Sequence, residues 1–91
     1  MPGQASHSDF EIQMRPHVVW VEEMLGRGVA ASEVTNQLVA KGLGRIQLVY
    51  VFRQATGARL MDLKQFADMV CLRRGVTDVE AFDALAEAVL G

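Results

Sequence analysis

Cysteine, histidine and long apolar runs are scarce in this sequence of 91 residues. The single cysteine, Cys71, cannot form a disulfide within the chain, which excludes a disulfide-stabilised secreted scaffold. No uninterrupted apolar run approaches the ~20 residues that a membrane-spanning helix needs. Residues 1–16 also lack the basic and apolar regions of a signal peptide. We therefore expect a cytoplasmic protein that does not associate with membranes.

Groups that catalyse reactions or bind metals are equally few. His7 and His17 stand at no recognisable spacing from a serine, cysteine or aspartate, so neither suggests nucleophilic catalysis. Two scattered histidines and one cysteine do not form a metal-binding pattern, and the glycines do not match a phosphate-binding loop. Cys71 falls in an apolar stripe, which predicts a buried and unreactive thiol. We expect no enzymatic activity, no cofactor and no metal site.

Charge is nearly balanced over the whole chain but is distributed in blocks. With a net charge of −2 and 51% hydrophobic residues, the composition is that of a folded domain without overall attraction to nucleic acid. Residues 1–40 carry a net charge of −3, and residues 75–91 carry −4. Residues 41–74 have seven basic side chains against two acidic ones, a net charge of +5. Such blocks either pair with one another on the surface or attract a charged partner.

Apolar residues recur at helical spacing and are interrupted by glycines. The pattern predicts five helices, at about residues 17–27, 31–41, 45–56, 61–74 and from a capping box at Thr77–Glu80 to the end. A glycine is expected to end each of the first four, with Gly28, Gly42 and Gly57 in the left-handed conformation and Gly75 as the stop of the fourth. Residues 45–56 would also suit a buried strand, but their length and flanking glycines favour a helix. Residues 1–15 are expected to be a flexible or extended lead-in, and residues 16–91 a single all-α domain, a compact bundle of about five short helices.

Residues 51–64 (VFRQATGARLMDLK) resemble the helix–Thr-Gly–helix element in the C-terminal domain of the bacterial ribosomal stalk protein. Residues 75–91 (GVTDVEAFDALAEAVLG) are similar to the last helix of that domain. The resemblance implies a helical hairpin used to dock other proteins, in which lysines of the second helix help to bind translation factors. Lys64 matches one of these lysines, whereas Met61 and Arg59 stand where the family has lysine and glycine respectively.

These observations predict a non-catalytic protein–protein interaction module. Such a module could be an adaptor, an immunity or antitoxin-type neutraliser, or a small assembly subunit. The expected partner is another protein, or a second copy of the chain in a homodimer. The predicted partner-binding residues are Glu22 and Glu23 on the outer side of the first helix and Arg53, Arg59 and Lys64 around the Thr-Gly turn.

An alternative hypothesis is a DNA-binding regulator. Residues 33–54 have the outline of a helix-turn-helix, with Arg45 and Gln47 at the start of the second helix, where base edges are read. The apolar character of residues 45–56 and the acidic net charge count against this hypothesis, because phosphate contacts dominate the affinity of such proteins.

Overall fold

A computed structural model describes the backbone of residues 5–90 and the side chains of residues 9–90. It contains five helices and one small antiparallel hairpin: α1 (Ala5–Gly26), α2 (Ala31–Ala40), α3 (Arg45–Thr56), α4 (Leu60–Asp68), β1 (Val70–Cys71), β2 (Gly75–Val76) and α5 (Val79–Leu90). The predicted all-α bundle is therefore confirmed, with a two-stranded sheet as an addition.

The helices surround one apolar core. α1 packs on α2 and α3, α4 packs on α3 and α5, and α5 packs back on α2. The ring of Phe66 on α4 connects α3 and α5 in the core. Its centroid lies 5.0 Å from that of Phe52 on α3 and 4.1 Å from that of Phe82 on α5. Residues 45–56 form a helix rather than a strand, with Leu48 and Phe52 buried. Ile46, in contrast, is 79% exposed, so this helix also carries an apolar residue on its solvent-exposed side.

The first helix begins much earlier than the sequence pattern predicts. Residues 5–15 are helical and continuous with the predicted helix at 17–27, so their expected extended conformation is wrong. The reason is tertiary packing: Met14 is buried, and the ring of Phe10 meets that of Tyr50 on α3 edge-on at 4.8 Å. Pro16 lies inside the helix on its exposed side, where water can reach the carbonyl that its missing N–H leaves free. Residues 1–4 of the predicted lead-in lie outside the described residues.

The fourth helix ends at Asp68 and not at Arg74 as predicted. The chain turns into the hairpin instead, with Val70 opposite Val76 and Cys71 opposite Gly75. Cys71 is therefore a half-buried strand residue, and its predicted position on a buried helical stripe is wrong. A short apolar segment is compatible with a helix or with a strand, so the apolar pattern alone could not show that the helix stops before Val70.

Three of the predicted glycine caps have the expected backbone geometry. Gly28, Gly42 and Gly57 have φ angles of +86°, +93° and +76°, in the left-handed region. After α2, the N–H of Gly42 donates to the carbonyl of Val39 at 2.9 Å and that of Leu43 donates to Leu38 at 3.2 Å, which is the predicted Schellman pattern. These three predictions are confirmed, whereas Gly75 begins β2 and does not end a helix.

The start of α5 is capped differently from the prediction, and the start of α2 is held by a contact that the sequence pattern does not show. Asp78, not Thr77, caps α5, because its Oδ1 accepts the N–H of Ala81 at 3.1 Å. At α2, the cap comes from a distant residue: Oδ1 of Asp83 on α5 accepts the N–H of Ser32 at 2.9 Å, and Oδ2 accepts its hydroxyl at 2.8 Å. This carboxylate fixes the start of α2 against the middle of α5.

Candidate protein-interaction site

The connection between α3 and α4 is a rigid turn. The N–H of Gly57 donates to the carbonyl of Arg53 at 2.8 Å, which closes α3. The hydroxyl of Thr56 donates to the carbonyl of Phe52 at 2.6 Å and accepts the N–H of Ala58 at 3.2 Å. Three consecutive residues of the turn are thus tied to the end of α3, and α4 starts from a fixed position.

The first turn of α4 exposes large apolar side chains. Leu63 and Phe66 point into the core and are buried. Leu60 and Met61 come just before this buried face and remain 44% and 81% exposed. An exposed methionine beside an exposed leucine is typical of a surface that adapts to a partner.

Basic side chains accompany these two apolar residues. Arg53 lies in the last turn of α3, and Lys64 follows Met61 by three residues on α4; both are exposed. Arg59 is also exposed and pairs with Asp62 at 3.2 Å, a contact of little energetic weight at the surface. Neither Arg53 nor Lys64 forms an ion pair with any described side chain. We call Arg53, Arg59, Leu60, Met61 and Lys64 the turn surface.

The other two predicted partner-binding residues lie elsewhere, on α1. Glu22 and Glu23 are exposed, as predicted. Glu23 forms an ion pair with Arg27 at 3.3 Å. Glu22 contributes to a shallow groove of about 300 Å³ between α1 and α3, where Arg15 lies among the lining residues. Thus three of the five predicted residues are exposed on the two helices joined by the turn or on the turn itself, whereas the two glutamates lie on α1.

The two residues proposed for DNA contact are held by other parts of the chain. Arg45 forms an ion pair with Asp68 at the end of α4. The side-chain oxygen of Gln47 accepts the N–H of Gly44 at 2.6 Å and so caps the start of α3. Gln47 would have to give up this cap before it could reach a base, whereas the pair that Arg45 forms is exposed and of little energetic weight.

The thiol of Cys71 has an unexpected environment. The backbone N–H groups of Arg73 and Arg74 lower the pKa of the thiol below the ordinary value of 9.0, with a smaller contribution from the two guanidinium charges. Partial burial opposes this effect. His17 is half-buried within α1, and among the described residues no three histidine, cysteine or carboxylate side chains come together as metal ligands.

The exposed apolar residues of the turn surface were not among the predicted site residues. The signal that could have found them is periodicity: Leu63, Phe66 and Ala67 define the buried stripe of α4, and Met61 falls outside it. An apolar residue on the polar side of an amphipathic helix is the pattern to look for.

The fold thus defines a five-helix bundle with a small hairpin. Comparisons with protein-family models, with curated proteins and with solved structures find no match. In the described part of the chain, no helix combines the length and the apolar character needed to cross a membrane.

Proposed function

We propose that this protein is a non-catalytic, cytoplasmic protein–protein interaction module and that its partner binds the turn surface. The observation that carries the proposal is Met61, which is 81% exposed on α4 one helical turn from the exposed Lys64. A folded protein leaves so large an apolar side chain in water at a cost that burial by a partner removes. An apolar centre with a charged rim is also the usual anatomy of an interface.

The expected partner is a protein with an acidic rim around an apolar pocket. Arg53 and Lys64 are free to attract carboxylates, and Arg59 can exchange its exposed contact with Asp62 for one with the partner. The resemblance to the ribosomal stalk protein supports the same location, since that family docks proteins through its second helix, and Lys64 is the matching lysine. The cap that Gln47 provides for α3 and the negative net charge favour a protein partner over DNA.

The proposal is tested by photo-crosslinking from position 61. A benzophenone amino acid replaces Met61, and the matched control carries it at Ile12 on α1, a residue that is 67% exposed. We expect a discrete crosslinked protein from position 61 and not from position 12. Reversing charge at Arg53→Glu and Lys64→Glu should reduce that crosslink several-fold at low salt and less at high salt.

Three results bear on the nature of the partner. A crosslink from position 61 to a second copy of the chain would identify the partner as the protein itself, in a homodimer. Equal crosslinking from positions 61 and 12 would contradict a specific surface. Tight binding of generic duplex DNA at physiological salt would instead support the helix-turn-helix alternative.

A further inference from the structure

A second exposed apolar feature lies apart from the turn surface. It is a groove of about 680 Å³ between α5 and the end of α1 with the α1–α2 connection. Leu25, Val29 and Ala30 form one wall, and Val79 and Leu90 stand at the two ends of α5 on the other. Val79, the first residue of α5, is 49% exposed, so part of the apolar surface of the groove is open to solvent. The lining residues near the middle of the groove are small alanines, Ala31, Ala84 and Ala86, which leave room for the backbone of a bound peptide to approach.

The groove carries charge of one sign. Glu80, Asp83 and Glu87 line it, at positions that share one face of α5. No basic residue belongs to its lining among the described side chains. Asp83 is already engaged as the cap of Ser32 on α2, so its charge is partly offset by that helix N-terminus. Glu80 and Glu87 form no ion pair with any described side chain, and they flank the apolar floor along two turns of helix.

We propose that this groove binds an amphipathic helix bearing lysine or arginine, supplied by another protein. Its apolar wall provides the surface that leucine-type anchors bury, and Glu80 and Glu87 provide the partners for basic residues beside those anchors. The stretch from Val79 to Leu90 is 12 residues long, so the complementary helix spans about three turns. This binding site is independent of the turn surface, because the two share no residue.

The probe is a fluorescent synthetic peptide of 12 residues, the length of α5, with leucines at helical spacing and lysines between them. A matched peptide has glutamate in place of every lysine. We expect the basic peptide to bind with an affinity that falls between about 50 mM and about 300 mM salt, and the acidic peptide not to bind. Amide NMR signals of α5 and of residues 25–31 should shift when the basic peptide is added.

Two variants separate this site from general electrostatic attraction. Glu80→Lys with Glu87→Lys should weaken binding of the basic peptide by about tenfold or more. Asp9→Lys with Glu11→Lys, two exposed residues at the opposite end of α1 from the groove, changes the net charge by the same amount and should weaken it by less than about threefold. Ala84→Trp fills the groove without changing charge, because Ala84 is an exposed lining residue, and it should also block binding.

The opposite results are equally clear. Equal weakening by the two charge variants, shifts confined to the turn surface, or no binding of the basic peptide would each overturn the proposal. Self-association of the chain that Ala84→Trp abolishes would overturn it in favour of a second copy as the occupant, and sedimentation at two protein concentrations measures this. Crosslinking from position 61 is unaffected by any of these outcomes, so the proposed function is tested separately.

Discussion

Replacement of Gly75 by alanine should destabilise the protein more than replacement of any helix-ending glycine. Gly75 begins β2 with φ at +89°, a conformation that costs an L-residue about 1–2 kcal/mol. A Cβ built at this position would also overlap Oδ1 of Asn36 and lie 3.0 Å from its Cγ. That oxygen accepts the N–H of Val76 at 2.8 Å, so Asn36 cannot turn away without losing a hydrogen bond.

The expected cost follows from these two effects. Loss of one hydrogen bond of this kind is worth about 1 kcal/mol, so Gly75→Ala should lower the free energy of unfolding by about 2–3 kcal/mol in total. The matched control is Gly42→Ala. Gly42 has a similar φ of +93°, but an added Cβ there meets nothing within 4 Å, so only the cost of the backbone conformation, about 1–2 kcal/mol, is expected, about 1 kcal/mol less than at Gly75.

Urea unfolding followed by the fluorescence of Trp20, the only tryptophan, measures both values. A double-mutant cycle adds a second criterion: with Asn36→Ala in place, the overlap is gone and Gly75→Ala should cost no more than Gly42→Ala. The reasoning is refuted if Gly75→Ala and Gly42→Ala are equally destabilising in the wild-type background. It is also refuted if the cycle shows no coupling between Gly75 and Asn36.

Three further predictions follow from the packing, the α2 cap and the hairpin. Phe52→Ala should cost about 3–5 kcal/mol in thermal or urea unfolding, and an unchanged midpoint would contradict its place in the core. Asp83→Ala should cost about 2 kcal/mol because it leaves the buried Ser32 without its partner, and a loss of only a few tenths would show that the cap contributes little. Alkylation of Cys71 should have its pH midpoint at a lower pH in the folded protein than in urea, because the lowered pKa populates the thiolate earlier. Arg73→Gln should preserve most of that difference, since backbone N–H groups cause most of the shift, and its complete loss would contradict this origin.

The sequence predicts the helices well because their apolar spacing and their glycine caps are local signals. α2 and α3 lie within one residue of their predicted bounds, and Gly42 and Gly57 have the expected conformation. The errors fall where distant packing decides the local structure. The apolar pattern predicts that the first helix starts at residue 17, yet the contact of Phe10 with Tyr50 keeps the preceding residues helical.

The candidate site shows the same division. Arg53, Arg59 and Lys64 could be grouped from the sequence because a short turn joins the two helices that carry them. Met61 could have been added from its position outside the buried stripe of α4. Glu80 and Glu87 could not be assigned to a groove, because its opposite wall comes from residue 25 and its neighbours, more than fifty positions earlier.

Polar contacts between distant segments explain why that groove was invisible in the sequence. Asp83 and Ser32 are 51 residues apart, and Val76 and Asn36 are 40 apart; both contacts fasten α2 to the C-terminal part of the chain. Taken alone, each of these polar side chains is typical of a solvated surface, and Ser32 is itself a common N-cap residue. The apolar pattern determines which faces turn inwards, but these contacts determine where α5 lies along α2. Since the groove is the space left between α5 and the end of α1, its shape depends on the polar contacts, and weakening the Asp83 cap should alter peptide binding as well as stability.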